Sequence, residues 1–162
     1  MKLTLTCLAL SAALLLAACG GGNDDGAAAA SSASTTVSLD DGLLVDSSGA
    51  ALYTSEQERS GKVACTASCT EIWLPLAAPG SGRPTAGDGV SGELGTLKRP
   101  DGSRQVTLGG RPLYRFAEDT EAGKATGDGL TDSFDGRRFT WHAEGTADSS
   151  SGADDGGRSY SY

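Results

Sequence analysis

The chain has 162 residues, with 13 Lys and Arg against 21 Asp and Glu and a formal net charge of -8. So acidic a protein is a poor ligand for nucleic acid or for anionic lipid headgroups. Its 24 glycines point to turns and short strands rather than long helices.

The chain opens with one Lys, an apolar run from Leu3 to Leu16 and small residues up to Cys19. This is the pattern of a secretory signal peptide over residues 1–18, too short to span a bilayer comfortably. Leu16-Ala17-Ala18-Cys19 resembles the lipobox of bacterial lipoproteins, which implies a diacylglyceryl thioether on Cys19 and cleavage just before it. Cys7 leaves with the leader. Residues 20–36 contain no Val, Ile, Leu or aromatic side chain, so they cannot bury enough surface to order themselves and form a flexible stalk. The folded part is expected over residues 37–145, enough for one modest core.

Within it, "LLVDSSGAALYT" places apolar residues on both sides of Ser47-Ser48-Gly49, a hairpin pattern. Cys65 and Cys69 remain as the pair that matters for the fold, and in an exported chain such a pair favours a disulfide. The segment "CTASCTEIW" predicts a short helix ended before Pro75. From Pro79 to Gly95 the Gly, Pro and Ser content predicts a loop. "RQVTLGGRPLYRF" is a second hairpin around Gly109-Gly110, with Pro112 at a strand edge or strand start because proline cannot donate to a ladder. Asp128, Asp132 and Asp135 fall in "GDGLTDSFDG", which lacks the spacing of an EF-hand loop; they read as a solvated turn, with a curled calcium loop as the lesser alternative. Phe139, Trp141 and Ala143 alternate with Arg138, Thr140 and His142, the period of a half-buried strand. Residues 146–162 read as a disordered tail.

The two hairpins repeat a phrase: Gly, two spacers, then Leu52-Tyr53 in the first and Leu113-Tyr114 in the second, each followed by Gly-Lys. The expected fold is therefore mainly β, a small single domain of two related hairpin units, about 43–78 and 104–143, with a short helix near the cysteines. Two copies bury each other's apolar faces where one alone is too small.

These residues resemble the bacterial lipoprotein family of secreted repeats of unknown function, recognised by a Tyr, an aromatic two residues on and an Asp three further. Tyr114, Phe116 and Asp119 match that motif. In the first unit Tyr53 is followed by Ser55 and by Glu58 at the acid position, so that copy is degenerate. Trp73 and Leu74-Pro75-Leu76 follow Cys65 and Cys69 as in the family. The resemblance implies an envelope location and a paired repeat, and no established activity.

Tyr114 and Phe116 share one face of an extended strand. They are either core contacts, with Asp119 accepting hydrogen bonds in the next turn, or a platform for a ligand; small β domains need aromatic area in the core first, which favours the former. Cys65, Cys69 and the single histidine, His142, are weak candidates for a copper site, since such a site normally recruits more His or Met. No catalytic constellation is found: there is no Gly-x-Ser-x-Gly elbow, no phosphate loop and only one histidine for any triad. The sequence thus points to a non-enzymatic binding or structural module of the bacterial envelope, held on the membrane by lipid, with no cofactor. Its partner is an envelope protein or a small ligand. Gly20 after Cys19 is not the Asp-type retention signal, so in a diderm host the outer membrane is the expected address. The alternative is a metal or electron-transfer accessory that uses the cysteine pair.

Overall fold

The computed structural model describes residues 35–145 and Ser159–Ser161. The signal peptide, Cys19 and nearly all of the stalk and tail lie outside the described residues.

Strand β1 (Thr36–Asp40) turns through Asp41-Gly42, both at positive φ, into β2 (Leu43–Asp46). Asp-Gly suits this two-residue turn because both central positions need φ above zero. The Asp46 carboxylate then closes the next turn, accepting from the Ser48 and Ala50 amides and the Ser48 hydroxyl. A bridge between Val45 and Ala51 leads into β3 (Tyr53–Ser55). A 3-10 turn over Glu56–Glu58, the disulfide segment, helix α1 (Cys69–Ile72) and β4 (Trp73–Pro75) complete the first unit.

The second unit repeats this plan. Strand β6 (Leu94–Lys98) pairs with β7 (Arg104–Leu108), which turns through Gly109-Gly110, both at positive φ, into β8 (Arg111–Pro112) and β9 (Tyr114–Phe116). Pro112 opens a pairing with Thr107 from the end strand of the three-stranded sheet β6-β7-β8, where its missing donor costs no ladder bond. Strands β10 (Thr131–Phe134) and β11 (Arg137–Ala143) follow, joined by Asp135-Gly136 at positive φ.

Two regions differ from the sequence reading. The segment 79–95, expected as a loop, contains strand β5 (Thr85–Ala86), which pairs in parallel with Thr36 and Val37 of β1, and it ends inside β6. Both residues of β5 are exposed, so its pairing is set by the neighbouring backbone and no hydrophobic pattern announces it. In the tail, Ser159–Ser161 form β12, parallel to Thr131–Ser133 on the outer edge of β10.

The central sheet runs β12-β10-β11-β3-β9-β4, and its middle is a quasi-twofold. Tyr53 of β3 lies directly opposite Tyr114 of β9. Around this pair the hydrogen bonds repeat in matched sets. Leu52 N–H donates to the Leu44 carbonyl, Leu44 N–H to Glu144 and Glu144 N–H to Leu52; Leu113 donates to Val106, Val106 to Leu76 and Leu76 to Leu113. The bridges Leu43 to Gly145 and Gln105 to Ala77 match too. The Trp strands are exchanged: β11 of the second unit pairs with β3 of the first, Trp141 opposite Ser55, while β4 of the first pairs with β9 of the second, Trp73 opposite Phe116. Each unit therefore completes the other's sheet. The Leu-Tyr phrase recurs because it supplies both halves of this axis.

Alternation along the strands separates two cores. Leu52 and Leu113 join Val37, Leu44, Leu76, Val106 and Leu108 in an aliphatic cluster. Tyr53 and Tyr114 join Trp73, Phe116, Phe134, Phe139, Trp141 and the two cysteines in an aromatic one. Cys65 and Cys69 form a disulfide with Cα atoms 5.3 Å apart, buried against that cluster. Closing so short a loop restricts the unfolded chain by about 2 kcal/mol. Replacing both cysteines by Ser is expected to lower the melting temperature without abolishing the fold; identical melts of variant and oxidised parent would contradict this.

Candidate functional site

The residues singled out in the sequence converge on the aromatic core, and they are arranged across the quasi-twofold rather than within each motif. The Tyr53 hydroxyl donates to Asp119 Oδ2 at 2.6 Å, and the Tyr114 hydroxyl donates to Glu58 Oε1 at 3.1 Å. Each tyrosine thus bonds the acid that follows the other. Both acids also organise their own loop: Asp119 Oδ1 accepts from the Thr126 amide and hydroxyl, and Glu58 Oε1 from the Ala64 and Cys65 amides. Glu58 is the structural counterpart of Asp119, which explains why the degenerate first copy retains an acid.

Burial and the adjacent carboxylates push both phenols above the ordinary tyrosine range. For Tyr53 desolvation leads, followed by the bond to Asp119; for Tyr114 desolvation leads, followed by the negative charge of Glu58. Ionising either would bury a second anion beside a first.

Arg99 balances this acidic interior. It sits after β6, only 3% exposed, and donates to the Cys65 carbonyl at 2.7 Å, to the Tyr114 hydroxyl at 3.3 Å and to Gln105 Oε1. Its guanidinium also lies 5.9 Å from the Tyr114 ring centre, within range of a cation–π contact. Sequence reading missed Arg99 and Gln105: "KRPDG" is a turn signal, and nothing in it shows that its arginine points inward.

The rings form a continuous column. Phe139 stacks on Trp141 with centres 5.7 Å apart, Trp141 on Trp73 at 4.0 Å and 10° between planes, and Trp73 on Phe116 at 4.5 Å. Tyr53 meets Trp73 edge-on at 5.3 Å, and Tyr114 meets Trp141 the same way at 5.1 Å. Tyr114 and Phe116 do share a face, and that face is buried, so they form core contacts rather than an exposed platform.

Asp132 corrects the expectation of a solvated turn. It is buried on β10 and accepts from Trp73 Nε1 at 2.7 Å; desolvation raises its carboxyl above the usual range, against the lowering effect of that bond. Asp128 instead accepts from the Ala143 amide, and Asp135 occupies the β10–β11 turn. Three separate tasks hold the three aspartates. His142 lies on the exposed face of β11, 3.2 Å from Glu56 Oε1, remote in role from the cysteines. Among the described residues no group of three His, Cys, Asp or Glu side chains converges as metal ligands do, and the disulfide leaves Cys65 and Cys69 without a thiolate to offer.

Gly127 is a further residue whose role the sequence hid. Its amide donates to the Tyr53 hydroxyl at 3.2 Å, and a Cβ there would stand 2.7 Å from the Trp73 ring. Gly127→Ala is expected to destabilise the fold by about 1–3 kcal/mol, the cost of overpacking a filled core. The check is a urea titration; an unchanged midpoint would show that the ring has room to move.

A cleft of about 330 Å³ opens beside the disulfide, lined by Lys62, Val63, Cys69, Phe134, Arg137 and Phe139 among others. Residues 95–142, which run from β6 through β11, match the family described as a secreted repeat of unknown function. Those residues are similar to that secreted repeat. The match covers the second unit and spans Tyr114, Phe116 and Asp119; the quasi-twofold identifies the first unit as its structural counterpart. No curated protein and no solved structure matches the chain.

Proposed function

We propose that this secreted-repeat protein is a lipid-anchored module of the bacterial cell envelope that binds a partner or small ligand without catalysing a reaction. The observation that carries this reading is how the motif is used. Tyr114, Phe116 and Trp73 are buried, and Asp119 is taken up by Tyr53 and Thr126. The family signature is therefore spent on joining two units, and recognition falls to the surface between and around them. Cys19 in its lipobox context supplies the anchor, because two or more acyl chains hold a protein stably where one does not. Gly20 in place of an Asp-type retention signal favours the outer membrane in a diderm host.

The test is metabolic labelling with an alkynyl fatty acid in a bacterial host, followed by membrane fractionation. Label and membrane association that are both lost on Cys19→Ser support the reading. An unlabelled protein released to the medium would overturn the anchor.

A further inference from the structure

The aromatic column joins two places of different chemistry. At one end Phe139 and Phe134 line the cleft that carries Lys62 and Arg137, with Asp135 as the nearby counter-charge. At the other, Tyr53 bonds the Asp119 carboxylate at 2.6 Å. Between them stand the two stacked indoles. We propose that the column is a one-electron relay in which a photoexcited anionic aromatic acceptor seated in the Lys62–Arg137 cleft withdraws an electron across Phe139, and Tyr53 supplies it while passing its phenolic proton to Asp119. This goes beyond the binding role proposed above.

The balance is simple. Tyr53 with its hydroxyl, the Asp119 carboxylate and the anionic acceptor become a neutral tyrosyl radical, a protonated Asp119 and the one-electron-reduced acceptor, which carries one negative charge more than before. No bond between heavy atoms forms or breaks.

The polar groups along the column give it a direction. Trp141 Nε1 is buried with no hydrogen-bond partner, whereas Trp73 Nε1 donates to the buried Asp132 carboxylate. Negative charge beside an indole favours its oxidised form, and strongly so in a low-dielectric interior, so the electron vacancy passes from Trp141 to Trp73. Trp73 touches Tyr53 edge-on at 5.3 Å, and the phenol has its proton acceptor already in place. Tyr114 is the competing donor beside Trp141. The Glu58 carboxylate accepts from its hydroxyl, but Arg99 stands at the same hydroxyl and over the ring, and that fixed positive charge counters the carboxylate and opposes oxidation there. The disulfide removes the thiols that would otherwise compete as donors.

The probe is anthraquinone-2-sulfonate, an anionic ring system whose photoexcited triplet takes one electron. The protein carries Tyr160→Phe and Tyr162→Phe, which leaves Tyr53 and Tyr114 as its tyrosines. Transient absorption is expected to show a tryptophan radical decaying as a tyrosyl radical rises, with a tyrosyl signal by electron paramagnetic resonance. Tyr53→Phe abolishes that signal and prolongs the tryptophan radical several-fold. Asp119→Asn keeps an acceptor for the hydroxyl but not for its proton, and slows the tyrosyl rise several-fold. Arg137→Gln raises the probe concentration needed for half the yield. The two conservative variants keep the test alive if Tyr53→Phe fails to fold. A tyrosyl yield unchanged by Tyr53→Phe, a rise unchanged by Asp119→Asn, or a probe dependence unchanged by Arg137→Gln would overturn the relay.

Discussion

Glu58→Ala is expected to lower the unfolding free energy by about 3–5 kcal/mol, the cost of breaking a buried charged network by removing one partner. Glu58 is fully buried, and its Oε1 accepts from the Ala64 and Cys65 amides and the Tyr114 hydroxyl. Removing it strands three donors, two amides and a phenol, in the interior that also holds the Arg99 guanidinium. Small domains have only about 5–15 kcal/mol in total, so the variant loses a large share of its stability. Glu58→Gln keeps an oxygen for the amides and should lose distinctly less. Urea unfolding of both variants decides the matter: equal midpoints for Ala and parent would mean that Glu58 holds nothing together.

Trp73→Ala is expected to cost about 3–5 kcal/mol as well, through the cavity left by a large buried ring. The indole is fully buried between Trp141 and Phe116, with Tyr53 against its edge. The truncation also removes the donor that serves the Asp132 carboxylate, and an unserved buried carboxylate is costly in its own right. Trp73→Phe separates the two effects, since it retains a ring in the stack but cannot donate to Asp132. Thermal melts with near-ultraviolet circular dichroism are the measurement. A melt of Trp73→Ala within a degree or two of the parent would show that the stack is not a stabilising centre.

Both effects arise where the two units meet, and this is the part of the molecule that sequence reading approached from one side only. The Leu-Tyr phrase, the glycine turns and the alternation in β11 were legible because each depends on residues adjacent in the chain. Glu58 was legible as an acid at the right offset from Tyr53. Its bond to Tyr114, 56 positions away, was not, because the motif predicts contacts inside a unit and the fold exchanges them between units. Asp132 shows the same limit. Three aspartates in a Gly-rich stretch look like solvent, yet β10 turns one of them inward to meet an indole 59 positions earlier.

What the sequence by itself determined was the mainly β class, the doubled unit, the short helix before Pro75 and the pairing of Cys65 with Cys69. These follow from local turn chemistry, from side-chain period and from cysteine number, which need no knowledge of distant partners. Tertiary structure alone decided that the units swap their tryptophan strands, that each tyrosine serves the other unit's acid, and that Arg99 turns inward to balance them. The physical reason is burial. A charged or polar group withdrawn from water must find its partner in whatever packs against it, and what packs against it is chosen by the whole fold.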